Sequence, residues 1–425
     1  MSKKIAITNI VSLNPGDAAI LAGMFEILRE KYGDDTEIVV FDKNAEAAEA
    51  LYSWARFNQA PFHRKTKPGF VKNVLQRFGY GHWILRFRYW RLQLLGFILR
   101  CGPLRFSRVF FSRTDVNVVG EYLTCDLIVS TGGTYLIENY GLWPAIYDYR
   151  LCLTLGKPLV FFTQTLGPFT QEKYKKAFHE IFTRAALIFL RDERSKRHLI
   201  DIGIPEEQIR LAKDAAFALR TPTELAKPLS SVKELKVAVS VRSLRFFDDT
   251  GRDLWQEYLE SVRAMVEMLA RQFKAEIVFL STCQGIPDYW TDDAATADEV
   301  VSGLSDGALA RTRIDRRFRQ PTEVVDAYAG FNLVIATRMH SAILSLLAGT
   351  PVIGIAYEFK LEELFVQLGM SRLSLSIQSL NPVTAKETLG YAIDNIEILR
   401  EELPVTTELA RSEAYSTLVG LPNLS

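Results

Sequence analysis

The sequence predicts an α/β protein made of two doubly wound domains, each around a parallel sheet. Short β-branched runs alternate with longer amphipathic stretches almost from end to end, as βα units do. The alternation lapses over residues 221–234, where Pro222, Pro228 and the adjacent Ser230 and Ser231 leave no periodicity, and then starts afresh. The 425 residues are enough for roughly two to three domains, and 48% hydrophobic with 24% charged residues is the composition of a folded chain.

In the first half, strands are expected at Lys4 to Asn9, Glu37 to Phe41, Leu127 to Ser130, Leu159 to Thr163 and Leu187 to Leu190. Between the first two, Ile20, Leu21, Met24, Ile27 and Leu28 recur at helical spacing within Asp17 to Glu30, a stripe that would face a sheet. After the linker, strands are read at Leu235 to Val241, Glu276 to Leu280, Leu333 to Ala336 and Val352 to Ile355. Helices such as Asp253 to Phe273 and Ser341 to Ala348 separate them. This gives domains at 1–220 and 235–385, facing each other across a cleft, and a helical segment at 386–425 expected to pack back on the first domain. In such sheets ligands bind outside the carboxyl ends of the strands, so the residues just after each strand are the ones to weigh.

Composition removes several functions. With 51 Lys and Arg against 50 Asp and Glu, the net charge of +1 gives no general attraction for nucleic acid, and no nucleic-acid partner is expected. Four scattered cysteines, Cys101, Cys125, Cys152 and Cys283, form no CxxC and have no histidine at ligand spacing, so neither a zinc site nor a disulfide framework is expected. The amino end lacks a signal-peptide pattern, and no uninterrupted apolar run approaches the roughly 20 residues that span a bilayer. A cytoplasmic location follows as the expectation.

One stretch departs from the βα rhythm. Between Ala50 and Thr114 there is no Asp or Glu, while Lys and Arg from Arg56 to Arg113 accumulate among Trp54, Phe70, Phe78, Trp83, Phe87, Tyr89, Trp90 and Phe97. This basic, aromatic, helical insertion at about 50–114 is the composition of a surface that rests on anionic lipid, at the inner face of the cell membrane. It is also that of a solvated hairpin whose aromatics pack on the parent domain.

The chemistry-bearing residues sit at strand ends. Asn14-Pro15-Gly16-Asp17 turns from the first strand into a helix start, where backbone N–H groups can meet an anion and Asp17 can equally cap. Ser130-Thr131-Gly132-Gly133-Thr134 lets backbone approach a ligand among hydroxyl donors, and a tight strand-to-helix turn would need the glycines as well. Gln164 lies at the next strand end. Arg191 and Asp192 follow another, as an ion pair or a helix cap. In the second half, Arg242 and Ser281 follow strands, and Arg338-Met339-His340-Ser341 closes a buried strand just before a helix, with Lys360 beyond the next one. Two arginines beside a helix amino terminus favour an anion, and His340 places a titratable acid next to it. Asp292-Asp293 reads as a helix cap.

Taken together, these residues resemble the polysaccharide pyruvyl transferases. The likeness runs in order through Asn14-Pro15-Gly16-Asp17, Ser130-Thr131-Gly132-Gly133, Gln164-Thr165-Leu166-Gly167-Pro168, Arg191-Asp192-Glu193, Asp214-Ala215-Ala216-Phe217, Ser240-Val241-Arg242 and Arg338-Met339-His340-Ser341. The Arg-x-His-Ser element is its most specific part, and the basic insertion lies outside it. The resemblance implies two Rossmann-like domains as in the GT-B glycosyltransferases. It implies transfer of a pyruvyl group from phosphoenolpyruvate, as co-substrate, to a lipid-linked or other saccharide, forming a ketal in polysaccharide biosynthesis without a metal or further cofactor. His340 would then be the general acid, Arg338 would act beside it, and Arg242, Arg338 and Lys360 would hold phosphoenolpyruvate. Gly16, Asp17, Gly132, Gly133, Thr134, Gln164, Arg191, Asp192 and Ser281 would hold substrate. The competing reading is a GT-B glycosyltransferase or sugar-nucleotide epimerase, with Glu358, Glu362 or Glu363 on the ribose of a nucleotide-sugar.

Overall fold

The computed structural model describes residues 2–62, 81–102, 110–138, 140–219, 235–245 and 254–424. The expected linker at 221–234 and the part of the basic insertion at 63–80 and 103–109 lie outside them. The first sheet holds β1 (Lys4–Ile10), β2 (Glu37–Asp42), β3 (Arg56–Gln59), β4 (Leu127–Ser130), β5 (Gly133–Leu136), β6 (Leu159–Leu166), β7 (Leu187–Leu190) and β8 (Ile209–Leu211). Its order is β3-β2-β1-β4-β6-β7-β8, with β5 paired to β6. The second holds β9 (Lys236–Ser240), β10 (Glu276–Phe279), β11 (Thr312–Ile314), β12 (Leu333–Ala336), β13 (Val352–Ala356) and β14 (Ser374–Ser376), in the order β11-β10-β9-β12-β13-β14.

Every pairing is parallel. The central strands are buried over nearly their whole length, LVIA in β12 and VIGIA in β13, because helices cover both faces. The expected α/β class with two parallel sheets is thus observed. Strands β3, β5, β8, β11 and β14 were not expected. Each is three or four residues long, with polar or charged residues breaking the β-branched pattern.

The chain divides into two units, each built from separated stretches. Residues 1–12, 27–214 and 416–425 form one, and residues 13–26 with 215–415 form the other. The helix Pro15–Tyr32 therefore begins in the second unit and ends in the first. Gly23 explains its attachment to the second, since a Cβ there would lie 1.8 Å from the Ala215 carbonyl oxygen and only a bare backbone fits. The helix Ile396–Tyr415 also belongs to the second unit, where Arg411 donates to the carbonyls of Phe217 and Leu219 at 3.3 and 2.8 Å. Only the last ten residues return to the first, where the Tyr32 hydroxyl donates to the Pro422 carbonyl at 2.7 Å.

The first unit buries a carboxyl group without a cation. Asp148, on the helix Trp143–Thr154, accepts from the Thr8 hydroxyl and from Tyr122 Oη at 3.2 Å, and is 6% exposed. Burial, only partly offset by those donors, lifts its pKa to about 6. A raised carboxyl pKa means that the folded protein binds the proton more tightly than the unfolded chain does. Stability should therefore fall as pH rises from about 4 through about 6. Asp148→Asn keeps the acceptor oxygen and removes the charge. It is expected to match the wild type near pH 4 and to exceed it by about 3 kcal/mol at pH 8 in urea unfolding, and parallel pH profiles would refute this account.

Candidate active site

In the second unit the strand order reverses between β9 and β12. Residues leaving the carboxyl ends of β9, β10, β12 and β13 come to one sheet edge, at the place where doubly wound sheets bind ligands. Arg242 follows β9, Ser281 follows β10, Arg338 and His340 follow β12, and Lys360 follows β13. The helix Met339–Leu347 starts there, with Arg338 in extended conformation as its N-cap residue.

Arg338 is held by an aspartate that sequence reading assigned to capping. Its Nε and Nη2 donate to Asp293 Oδ2 and Oδ1 at 2.5 and 2.6 Å, a bidentate pair in which Arg338 is 8% and Asp293 1% exposed. Asp292 alone is the cap, accepting from the Ala294 amide at 2.9 Å. Two adjacent aspartates at a helix start look alike in sequence, and only the fold shows that the second turns inward. Burial by itself would depress the Arg338 pKa, and the Asp293 carboxylate outweighs it and holds it above the ordinary value.

Arg242 donates to the Tyr357 hydroxyl and lies over that ring, 4.5 Å from its centroid. Burial, and after it the charge of Arg338, push the Arg242 pKa below its ordinary value, while Glu358 and Asp293 pull the other way. A group whose charge is disfavoured by a neighbouring cation gains from an incoming anion. Lys360 pairs with Glu358 at 2.6 Å and stands 5.9 Å from the Tyr357 centroid. Glu358, weighed as a ribose contact in the competing reading, is thus engaged with the lysine.

The Asn14-Pro15-Gly16-Asp17 turn joins this cluster within the same unit. A Cβ on Gly16 would fall 2.6 Å from His340 Nδ1 and 3.0 Å from its Cβ and Cγ, so the absence of a side chain makes room for the imidazole. Asn14 Oδ1 accepts the Gly16 amide at 3.0 Å and faces the Cys283 thiol at 3.3 Å. Asp17 and Arg338 both act electrostatically on Cys283, whose pKa burial pushes up to about 12, so this thiol stays protonated. Ser281 is an internal fastener. Its hydroxyl donates to the Val241 carbonyl at 3.0 Å and meets Ser240 Oγ at 2.7 Å, and Ser240 in turn meets Ser341 Oγ at 2.8 Å, tying three strand ends together.

The remaining expected residues lie in the first unit. Gly132 follows β4, and Gly133 opens β5, so the glycines lead into a short strand and not into the helix that was expected. Gln164 Nε2 donates to Ser130 Oγ and the Thr131 carbonyl at 2.6 and 2.7 Å, fixing the loop before them. Asp192 is the helix cap, and the ion pair of Arg191 is made with Asp214 and not with its neighbour. Arg191 pairs with Asp214 and donates to Thr165 Oγ1 and Thr134 Oγ1, each at 2.7 Å, while Asp192 accepts the Ser195 amide at 2.6 Å. Thr165 and Asp214 joined the network unannounced, because nothing in sequence order brings them to Arg191. Among the described residues no group of three His, Cys, Asp or Glu stands together in a way that could hold a metal ion.

The family model described as Polysaccharide pyruvyl transferase matches residues 14–358, which takes in the site residues from Asn14 to Glu358 and leaves Lys360 just outside. The chain belongs to this family. This pyruvyl-transferase family member is also 28% identical over 295 residues to the amylovoran biosynthesis protein AmsJ of Erwinia amylovora, covering 67% of the chain and 70% of that protein. Among solved structures it is similar to Anabaena HepE in complex with UDP-glucose, with a TM-score of 0.57, 12% identity, and 98% and 100% of the two chains covered. It is similar to the same degree, TM-score 0.57, to the UDP-GlcNAc 2-epimerase of Neisseria meningitidis bound to UDP-GlcNAc, at 10% identity over 99% and 100% of the chains. At such identities the likeness is one of fold, two Rossmann-like domains of the GT-B kind.

Two consequences can be measured. Arg338→Ala or Asp293→Ala leaves the opposite charge buried and should cost about 3–5 kcal/mol in urea unfolding, with the double variant losing clearly less than the sum. Additive losses would mean that the pair does not act as a unit. Gly16→Ala should displace the His340 ring and lower turnover at least about tenfold, with a melting shift of only a few degrees. Unchanged turnover would separate the turn from the histidine.

Proposed function

We propose that the protein moves the pyruvyl group of phosphoenolpyruvate onto two hydroxyls of a saccharide, lipid-linked or otherwise, closing a cyclic ketal and releasing phosphate in polysaccharide biosynthesis. The observation that carries this reading is the convergence of Arg242, Arg338, Lys360 and His340 at the switch point of the second sheet, in a chain of the pyruvyl transferase family. Phosphoenolpyruvate is a dianion or more, with a carboxylate and a phosphate. Arg242 is placed to gain from such an anion, and Arg338 keeps its charge through Asp293.

His340, as imidazolium, gives its proton to the methylene carbon of the enol phosphate, which becomes a methyl group and leaves oxocarbenium character at C2. One saccharide hydroxyl forms a C–O bond to C2 and loses its proton, which the imidazole can take back. The C–O bond to phosphate then breaks, and the second hydroxyl attacks C2 and closes the ring as its proton departs. The arginines stabilise the carboxylate throughout and the phosphate as it leaves. Phosphoenolpyruvate supplies both the carbon skeleton and the leaving group, so the scheme calls on no further cofactor. We assign Gly16 and Asp17 to the edge of this site. Gly132, Gly133, Thr134, Gln164, Arg191 and Asp192 are assigned to substrate binding, Gln164, Arg191 and Asp192 by shaping the loops that carry the others.

Acceptor-dependent phosphate release from phosphoenolpyruvate, measured over a panel of lipid-linked and simple glycosides, tests the reading. His340→Ala should lower the rate about 10²–10⁴-fold while the protein keeps its melting temperature, and Arg242→Ala should raise the phosphoenolpyruvate KM. Release that survives His340→Ala would move the acid elsewhere. No release with any acceptor, together with thermal stabilisation by a nucleoside diphosphate but not by phosphoenolpyruvate, would favour a nucleotide-sugar enzyme.

A further inference from the structure

The helix Gly81–Cys101 is amphipathic in an unusual sense. Its inner face, with Tyr89, Leu92, Leu95 and Leu99 all buried, packs on the helices Arg113–Thr124 and Trp143–Thr154 of the first unit. Gln93 donates to the Tyr147 carbonyl at 2.7 Å, Arg100 donates to the Thr154 carbonyl at 2.9 Å, and the Tyr89 and Tyr147 rings lie 4.4 Å apart. The helix is thus anchored as a structural element. The face turned away from these contacts is not polar. Phe87, Trp90 and Phe97 are 60, 58 and 57% exposed, with Leu94 at 36% between them.

At about 100° per residue these four side chains fall within an arc of about 80° and form one continuous line along the helix. Arg86 and Arg100, both exposed, flank that line on one side, and Arg91, whose guanidinium lies 5.4 Å from the Phe111 centroid, flanks it on the other. The helix itself carries no carboxylate, since the sequence has no Asp or Glu between Ala50 and Thr114. Phe110, 74% exposed, follows in the same carboxylate-free stretch. Other large exposed apolar residues, such as Trp290 and Val419, stand singly, and Ile398, Val405 and Leu409, which share one face of the helix Ile396–Tyr415, are flanked there by Glu401, Glu402 and Glu408 and not by arginines.

We infer that this outer face is a membrane-surface contact, on which the protein rests with Phe87, Trp90, Leu94 and Phe97 in the interface of an anionic phospholipid bilayer and Arg86 and Arg91 at its headgroups. Aromatic side chains prefer the headgroup boundary, and flanking arginines reach the phosphates of acidic lipids. Among the described residues no helix is long and apolar enough to cross a membrane, so this helix lies along the surface. A protein partner for an aromatic line of this kind would need its own acidic rim. The wholly basic flank is complementary to acidic lipid, and a second copy of this chain would bring the same positive charge to the same face.

The test is cosedimentation of the full chain with vesicles of phosphatidylcholine and phosphatidylglycerol against vesicles of phosphatidylcholine alone. The protein should pellet with the anionic vesicles and should be largely released when salt rises from about 0.1 M to about 1 M, as screening shortens from ~10 to ~3 Å. The combined variant Phe87→Ser, Trp90→Ser and Phe97→Ser, altered only at exposed positions, should keep its melting temperature and bind the anionic vesicles at least about tenfold more weakly. Equal binding by this variant, or no preference for anionic vesicles in the wild type, would overturn the inference. So would a lipid-free self-association that the same three substitutions abolish, because the line would then be a protein interface. Vesicle binding requires neither phosphoenolpyruvate nor acceptor, so its failure and a failure of pyruvyl transfer are separately visible.

Discussion

Arg338 carries a charge with almost none of its surface in water, and Asp293 is what makes that tolerable. An unpaired guanidinium at this depth would be strongly disfavoured, and so would a lone carboxylate that is 1% exposed. Joined by two parallel hydrogen bonds, they form a fixed point where β12 passes into its helix. Other features take their place from it. Arg242 feels the charge of Arg338 and leans on Tyr357, Cys283 is kept protonated by burial against the pull of Arg338, and His340 stands two residues along on the first turn of a helix whose N-cap residue is Arg338. A pair like this contributes little net stability against an apolar replacement. What it does is hold a permanent positive charge in one orientation at the start of the helix that carries His340.

Much of this was legible in the sequence, and the pattern of what was not is physical. Strands β4, β7 and β12 fall within the expected bounds because three or four consecutive apolar residues between polar ends are unambiguous in a doubly covered sheet. Edge strands such as RFNQ in β3 and TRI in β11 carry no such mark, since one side of each meets solvent and the residues satisfy other demands. For the site, Arg338, His340 and Arg242 were visible because they follow strong strands. Asp293 was not, because its partner lies 45 residues away and an aspartate at a helix start already has an adequate local explanation. The link between Gly16 and His340 was equally hidden. It depends on what a glycine lacks, and only coordinates show what fills that space.

The two hydrogen-bonded networks differ in kind, although both sit at carboxyl ends of parallel strands. In the first unit Arg191, Asp192, Gln164 and their partners are largely satisfied by one another, and a ligand there would meet backbone and the rims of fixed side chains. In the second unit Arg242 is held by a phenol and pressed by a neighbouring cation, an arrangement with electrostatic energy left to gain. The two networks thus differ in residual charge, the first closed on itself and the second with charge still open to an anion.

The interleaving of the chain bears on how the molecule is made. Because residues 13–26 belong with 215–415, the second unit lacks a piece of itself until its own far end has been synthesised, and the piece it needs emerges first. The early segment must wait through some two hundred residues of nascent chain before Gly23 can close against Ala215. Neither unit is therefore a genetic module. A gene fragment that starts at the linker would encode a second unit with an apolar seat left open, and an exchange of domains between relatives would have to carry the amino-terminal half of the Pro15–Tyr32 helix along with the carboxyl-terminal partner.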